Sequence, residues 1–132
     1  MVKKNLYLVP LIILLATVVY ATYIVSTTDI VFGDKHYLGL LFVGVSTIAI
    51  LVRKSLGIYF TGITLLAGTL NFIAFTPAIE AYSFGFGFND TSTTSFKIQL
   101  FSFLILLLYS VLNGKFLLSK INKKVDNNKA TH

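Results

Sequence analysis

The chain has 132 residues and a net charge of +6, and 55% of its residues are apolar while only 12% are charged. A soluble domain usually carries about 25% charged residues, so this composition excludes an ordinary water-soluble protein and indicates a membrane protein. Cysteine is absent, which excludes disulfides, thiol catalysis and thiolate metal sites. The basic residues lie at the ends of apolar segments, a distribution typical of membrane topology and not of nucleic-acid binding.

Four apolar segments predict four transmembrane helices. Their predicted bounds are about 6–25, 37–52, 56–76 and 98–118. A membrane-spanning helix needs about 20 apolar residues, and a lone strand in lipid would leave its backbone groups unpaired. The sequence therefore predicts an all-α membrane protein whose single domain, residues 1–118, is a four-helix transmembrane bundle.

The first segment also resembles a secretory signal, because basic residues precede it and the tripeptide Val-Tyr-Ala ends at Ala21. The apolar run, however, continues to Val25 and is long enough to cross a membrane. We therefore expect this segment to be retained as the first helix.

The basic residues predict the orientation of the bundle. Nine of the eleven fall on one side of the four-helix arrangement: Lys3, Lys4, Arg53, Lys54, Lys115, Lys120, Lys123, Lys124 and Lys129. The positive-inside rule makes that side cytoplasmic, so both termini are expected inside and the basic tail 119–132 is expected to be disordered there. The Lys, Asn, Ile and Phe content and the lack of a recognisable transit peptide favour a bacterial inner membrane.

Two stripes of small and polar residues predict how the helices pack. The third helix carries Gly57, Thr61, Thr64, Gly68 and Asn71 at spacings of four and three residues, which places them on one face. The fourth helix carries Gln99 and Ser102 at the matching depth, because the two helices run antiparallel. An unpaired amide is costly in hydrocarbon, so we expect Asn71 to contact one of these two residues.

The connection between the third and fourth helices is unusual in composition. Thr76 and Pro77 are typical of a helix start, and they predict a short interfacial helix from Pro77 to about Tyr82. Phe84, Phe86 and Phe88 alternate with glycine after it. Alternation is typical of a strand, but no other segment looks suited to pair with this one, so we expect a loop. We expect its phenylalanines to anchor in the lipid interface or against the outer end of the bundle, with a docking site for a partner or a ligand pocket as the alternatives.

The chemistry of the apolar segments argues against catalysis and proton-coupled transport, because no ionisable residue lies in the middle of any of them. Small multidrug-resistance transporters have a similar size, but they need an acidic residue in the first helix, which this chain lacks. No phosphate-binding loop, nucleophile motif or metal motif occurs. We therefore expect no enzyme, no cofactor and no metal site.

Three functions remain as hypotheses. The first is a non-catalytic protein that binds a partner, as an accessory subunit, assembly factor or immunity-type protein. The second is an oligomeric channel or carrier for a neutral or apolar solute. The third is an enzyme at the outer membrane surface that uses Asp29, Asp34, His36 and Glu80. The first is favoured, with the lipid bilayer and a protein partner or a second copy as its contacts.

Overall fold

The computed structural model describes residues 5–29, 31–77, 81–86 and 94–129. Within these ranges the chain forms four α-helices and a two-stranded antiparallel sheet. The elements are α1 (Val9–Thr27, preceded by a 3₁₀ turn at Leu6–Leu8), α2 (Asp34–Val52), α3 (Lys54–Thr69), β1 (Ala81–Phe86), β2 (Thr94–Gln99) and α4 (Leu100–Lys129).

Three of the helical segments are long and apolar enough to cross a membrane. They are Leu6–Thr27, Asp34–Val52 and Leu100–Asn122. Large apolar side chains on their surfaces are exposed, among them Val19, Ile48, Leu51 and Val111. This surface suits hydrocarbon better than water, and the fold is therefore consistent with an integral membrane protein.

Each helix packs against two others. α1 contacts α2 and α4, and α3 lies between α2 and α4. The buried apolar core draws on all four helices and on the segment after α3: Leu14, Val43, Ile58, Leu65, Ile73, Phe75 and Tyr109. The core is therefore shared among the elements, and its end nearest the sheet is closed by a stretch of chain that is not helical.

The third helix is shorter than predicted. The expected helix over 56–76 is wrong at its C-terminal end, because α3 stops at Thr69 and residues 70–77 are not helical. A helix of 16 residues is about 24 Å long, which is less than the roughly 30 Å of a bilayer core. The non-helical segment 70–77 extends the chain beyond it.

The connection between α3 and α4 contains a β-hairpin, which corrects two expectations. β1 pairs with β2 from Ala81 opposite Gln99 to Phe86 opposite Thr94. The expected helix therefore does not include residues 81–82, and two of the alternating phenylalanines, Phe84 and Phe86, belong to a strand. The partner strand was not recognised because its sequence, TSFKIQ, begins at polar residues and runs directly into an apolar helix.

The fourth helix differs from the prediction at both ends. It begins at Leu100 and not at residue 98, because residues 98 and 99 belong to β2. It also continues to Lys129, so the expectation of a disordered tail from residue 119 is wrong for residues 119–129. No glycine or proline interrupts this stretch, and lysines near a helix C-terminus are favourable to the helix dipole.

Candidate functional site: a polar clasp at the base of the hairpin

The end of α3 is set by Asn71, which has a φ of 62° in the left-handed region. Its N–H donates to the carbonyl of Gly68, and the N–H of Phe72 donates to the carbonyl of Ala67, each at 3.0 Å. These two bonds form a Schellman motif, the common way to end a helix, in which glycine or asparagine occupies the left-handed position. Asn71 therefore ends α3, although its place on the polar stripe predicts that the helix continues through it.

The non-helical segment 70–77 that follows is buried at its centre. Ile73, Ala74 and Phe75 are each no more than 2% exposed. Non-helical backbone at membrane depth is tolerated only where it is buried in protein and its polar groups are satisfied. The backbone groups of this segment therefore need hydrogen-bond partners, and residues of α2 and of β2 supply them.

The first turn of α2 supplies one set of these bonds. Lys35 donates from Nζ to the carbonyl of Asn71 at 2.8 Å, and its own carbonyl accepts from the N–H of Ala74 at 2.9 Å. His36 lies 2.9 Å from the carbonyl of Thr76 through Nε2. A carbonyl only accepts, so Nε2 carries a proton. The segment is thus bonded to α2 at three points.

The junction of β2 and α4 supplies the other set, through the last residue of β2. Gln99 donates from Nε2 to Oδ1 of Asn71 and to the carbonyl of Ile73, each at 2.9 Å. Ser102 donates to Oε1 of Gln99 at 3.3 Å, which orients the amide. The predicted contact between Asn71 and the start of the fourth helix is present, and Gln99 makes it. We call Lys35, His36, Asn71, Gln99 and Ser102 the clasp.

Two glycines allow the helices to lie close to the segment 70–77. A methyl group at Gly39 would collide with the carbonyl of Ala74, and one at Gly68 would collide with Phe75 and Ser102. Phe75 is the largest fully buried side chain among the described residues. Glycine at these two positions lets α2 and α3 contact the segment directly.

The other predicted packing residues of α3 are buried as well. Thr64 lies against α2, where its Oγ1 is 2.9 Å from Oγ of Ser46. Thr61 donates to the carbonyl of Gly57 in its own helix, and Gly57 packs against Ile50 of α2. The stripe from Gly57 to Gly68 therefore faces α2 and the segment, while the bond between Asn71 and Gln99 joins the segment to the end of β2.

A second contact joins α3 to α4 nearer the opposite end. Tyr109 is 5% exposed, and its hydroxyl donates to the carbonyl of Ile58 at 2.7 Å. An open apolar groove of about 280 Å³ lies beside it, lined by Tyr59, Gly62, Ile63, Leu66, Leu106, Tyr109 and Leu117.

The hairpin is attached directly to the clasp, because Gln99 is both the last residue of β2 and the residue that bonds Asn71. Of the docking candidates, Phe84 and Phe86 lie in β1, and Phe88 lies outside the described residues. Residues alternate between the two faces of a strand. The register therefore puts Tyr82, Phe84 and Phe86 on the same face as their partners Ile98, Phe96 and Thr94.

The opposite face of the hairpin is polar or small. It carries Ala81, Ser83 and Gly85 of β1, opposite Gln99, Lys97 and Ser95 of β2. The sheet is therefore amphipathic, with an aromatic face and a polar face. This division follows from the register and could not be derived from β1 alone.

Lys35 and His36 are the clasp residues that the sequence does not predict, because both precede the predicted second helix at 37–52, while α2 begins at Asp34. Their position in the sequence indicates such a role, because both lie at the start of an apolar helix, where a buried polar side chain needs a hydrogen-bond partner. His36 is only 8% exposed, and its Nδ1 has no hydrogen-bond partner among the described residues. Its ring stacks on Phe32, with the centroids 5.1 Å apart.

The residues proposed for surface catalysis do not come together in the described part of the chain. Asp29 and Asp34 are exposed, His36 is buried in the clasp, and Glu80 lies outside the described residues. No group of three histidine, cysteine or acidic residues that could hold a metal ion occurs within the described ranges. The chemistry of the clasp is the satisfaction of backbone groups, and it positions the hairpin.

Comparison of the chain with protein-family models, with curated proteins and with solved structures returned no match.

Proposed function

We propose that this chain is a small polytopic membrane protein that acts without catalysis, by binding a protein partner through its β-hairpin. In this proposal the four helices form a transmembrane bundle in a bacterial inner membrane. Both termini lie in the cytoplasm, and the hairpin lies on the outer side. The helices hold the hairpin at the outer end of the bundle.

The observation that carries the proposal is the register of the hairpin together with its attachment. The register gathers Tyr82, Phe84, Phe86, Phe96 and Ile98 on one face. Aromatic residues are enriched in the buried centres of protein interfaces. The amide of Gln99 fixes the base of this hairpin to a buried segment, so the aromatic face is presented from a fixed position.

The distribution of charged residues supports an outer location for the hairpin end of the bundle and a cytoplasmic location for the opposite end. Within the described residues, the hairpin end has Asp29, Asp34, Lys35 and Lys97, while the opposite end has Arg53, Lys54, Lys115 and Lys120. Lys54 lies over the ring of Tyr7, with Nζ 3.9 Å from the centroid, which brings the start of α3 next to the N-terminal end of the chain. The positive-inside rule then favours a cytoplasmic location for this basic end.

The test is purification of the tagged full-length chain from its native host in a mild detergent, with its partners quantified by mass spectrometry. The variant Phe84→Ser/Phe86→Ser/Phe88→Ser removes aromatic groups from the hairpin. Val31→Ser is the matched control, because Val31 is an apolar residue that is 81% exposed at the same end of the molecule but outside the hairpin.

We expect one stoichiometric protein partner with the wild type and with Val31→Ser, and its loss with the triple variant. Membrane insertion should be equal in all three. Retention of the partner by the triple variant would contradict docking through the hairpin. Recovery of the chain only as a homo-oligomer that conducts or transports in liposomes would overturn the proposal in favour of a channel or carrier.

A further inference from the structure

The apolar groove beside Tyr109 runs along the surface between α3 and α4. Its α3 wall consists of four residues that share one helix face, and its α4 wall extends from one leucine to another: Tyr59, Gly62, Ile63 and Leu66, and Leu106 to Leu117. The α4 wall lies within the apolar stretch Leu100–Asn122, which is long enough to cross a membrane. In a membrane the groove therefore opens to hydrocarbon.

Gly62 and Tyr109 give the groove a fixed floor. A methyl group at Gly62 would lie 2.8 Å from the hydroxyl oxygen of Tyr109, so the lack of a side chain there lets the tyrosine ring lie close to α3. The hydroxyl donates to the carbonyl of Ile58. The ring cannot turn outward and fill the groove without losing this buried hydrogen bond, so the groove stays open.

A basic residue follows the groove at the end that lies away from the hairpin. Tyr109, Leu117 and Lys120 succeed one another on α4 at spacings of eight and three residues, which places them on one face. Lys120 is exposed, and Lys124 occupies the same face one turn further along the helix. Asp126 is six residues beyond Lys120, a spacing that does not bring two helix residues together. The apolar groove therefore leads directly to a positive charge.

The width of the groove indicates a slender occupant. Leu106 and Leu117 are 11 residues apart, so the α4 wall is about 16 Å long. A volume of about 280 Å³ over that length corresponds to a cross-section on the order of 20 Å², whereas an α-helix about 10 Å across covers on the order of 80 Å². The groove accommodates a single hydrocarbon chain and not a helix.

Charge disfavours a second copy of the chain at this groove. Copies of a membrane protein insert in the same orientation, because the same basic residues direct each of them. The end of the molecule that carries Lys120 also carries Arg53, Lys54 and Lys115, and all four are exposed. A neighbouring copy would bring like charges together there, whereas an anionic headgroup would bring opposite charges together.

We infer that the groove binds an anionic phospholipid, with one acyl chain between α3 and α4 and the headgroup phosphate at Lys120. The apolar walls contact the chain, and Lys120 supplies the selectivity for an anionic headgroup. A basic residue near the membrane surface raises the affinity for anionic lipid by about fivefold. The site lies at the opposite end of the molecule from the hairpin, so it does not depend on a partner that docks there.

Tryptophan fluorescence can report on the occupant, because the chain contains no tryptophan of its own. Tyr59→Trp places the reporter in the groove. Ile48→Trp is the matched control, because Ile48 is exposed on α2 and does not line the groove. Ile48 lies five residues before Arg53 and Tyr59 lies five residues after Lys54 in the antiparallel helix, so the two reporters lie at the same depth.

The full-length variants are reconstituted in bilayers that mix phosphatidylcholine with phosphatidylglycerol, and one of the two lipids carries bromine on its acyl chains. Bromine quenches a tryptophan that it contacts, so quenching at several lipid ratios gives the relative affinity of each position for the two lipids. We expect Tyr59→Trp to prefer phosphatidylglycerol by about fivefold and Ile48→Trp to bind both lipids equally.

Two lysine variants in the Tyr59→Trp background test the role of Lys120. Lys120→Gln should abolish the preference for phosphatidylglycerol. Lys115→Gln is the matched control and should retain the preference, because Lys115 is an exposed lysine on the opposite face of the same helix. An equal loss in both variants would overturn the inference.

Two further outcomes would also overturn it. An equal preference for phosphatidylglycerol at Tyr59→Trp and Ile48→Trp would mean that the basic end attracts anionic lipid generally, without a site in the groove. An absence of quenching at Tyr59→Trp by either brominated lipid would mean that protein, from a second copy or a partner, fills the groove.

Discussion

Gln99 donates from Nε2 to Oδ1 of Asn71 at 2.9 Å and joins two elements that lie 28 residues apart in the chain. Asn71 ends α3 in the left-handed conformation, and Gln99 ends β2 just before α4 begins. The same Nε2 also donates to the carbonyl of Ile73. One buried amide therefore fixes the end of a helix, the course of a non-helical segment and the base of the hairpin.

Replacement of Gln99 by alanine should destabilise the protein. The substitution leaves the carbonyl of Ile73 and the amide of Asn71 without a donor in a buried site, at a cost of about 1–3 kcal/mol in the free energy of unfolding. Thermal unfolding in detergent measures this loss. Ser110→Ala is the control, because Ser110 is exposed on α4 and bonds only the carbonyl of Leu106 in its own helix. An equal loss in both variants would contradict the role of Gln99.

Substitutions at Asn71 should separate its two roles. Asn71→Gly keeps the left-handed position but loses the oxygen that accepts from Gln99, whereas Asn71→Ala loses both. We expect alanine to be less stable than glycine by about 1 kcal/mol, because the left-handed conformation is unfavourable for a residue with a Cβ. The comparison of the two unfolding midpoints measures this difference, and equal midpoints would contradict it.

The close approach of α2 to the segment 70–77 predicts an asymmetry between two glycines of the same helix. Gly39→Ala places a methyl group against the carbonyl of Ala74 and should cost roughly 1–3 kcal/mol through overpacking. Gly44→Ala has open space and should be neutral, or stabilising by up to about 1 kcal/mol through helix propensity. Unfolding in detergent compares the two, and a neutral Gly39→Ala would mean that the contact relaxes freely.

The hydroxyl pair of Ser46 and Thr64 should contribute a small coupling energy. Hydrogen bonds between transmembrane helices average about 0.6 kcal/mol in double-mutant cycles, because other partners remain accessible in the membrane. Ser46→Ala, Thr64→Val and the double variant complete the cycle. Thr47→Ala is a control, since Thr47 bonds only the carbonyl of Val43 in its own helix and should show no coupling to Thr64.

The proposed orientation can be tested with single cysteines, because the chain contains none. Thr28→Cys lies at the hairpin end and Asn122→Cys at the opposite end, and both positions are exposed. A membrane-impermeant maleimide should label Thr28→Cys in intact spheroplasts and Asn122→Cys only in inverted vesicles. The reverse pattern would invert the proposed topology, and labelling of both from one side would contradict the spanning arrangement.

The sequence by itself determined the composition of the surface, the helical segments and the buried face of α3. Apolar length and 3.6-residue periodicity are local properties, so the stripe of Gly57, Thr61, Thr64 and Gly68 could be read directly and is buried in the structure. The contact between Asn71 and Gln99 was also predictable, because the depth of a residue in antiparallel helices follows from its position along the chain.

Only the tertiary structure decided where α3 ends, how the hairpin pairs and what Lys35 and His36 do. A polar residue at helical spacing predicts a continued helix, yet Asn71 ends it, because side chains from α2 and β2 satisfy the backbone of residues 70–77. Strand pairing depends on a partner that is distant in sequence, and the propensity of β1 alone did not reveal that partner. Backbone groups in a membrane protein must be satisfied, but which residues satisfy them depends on contacts between segments that only the fold brings together.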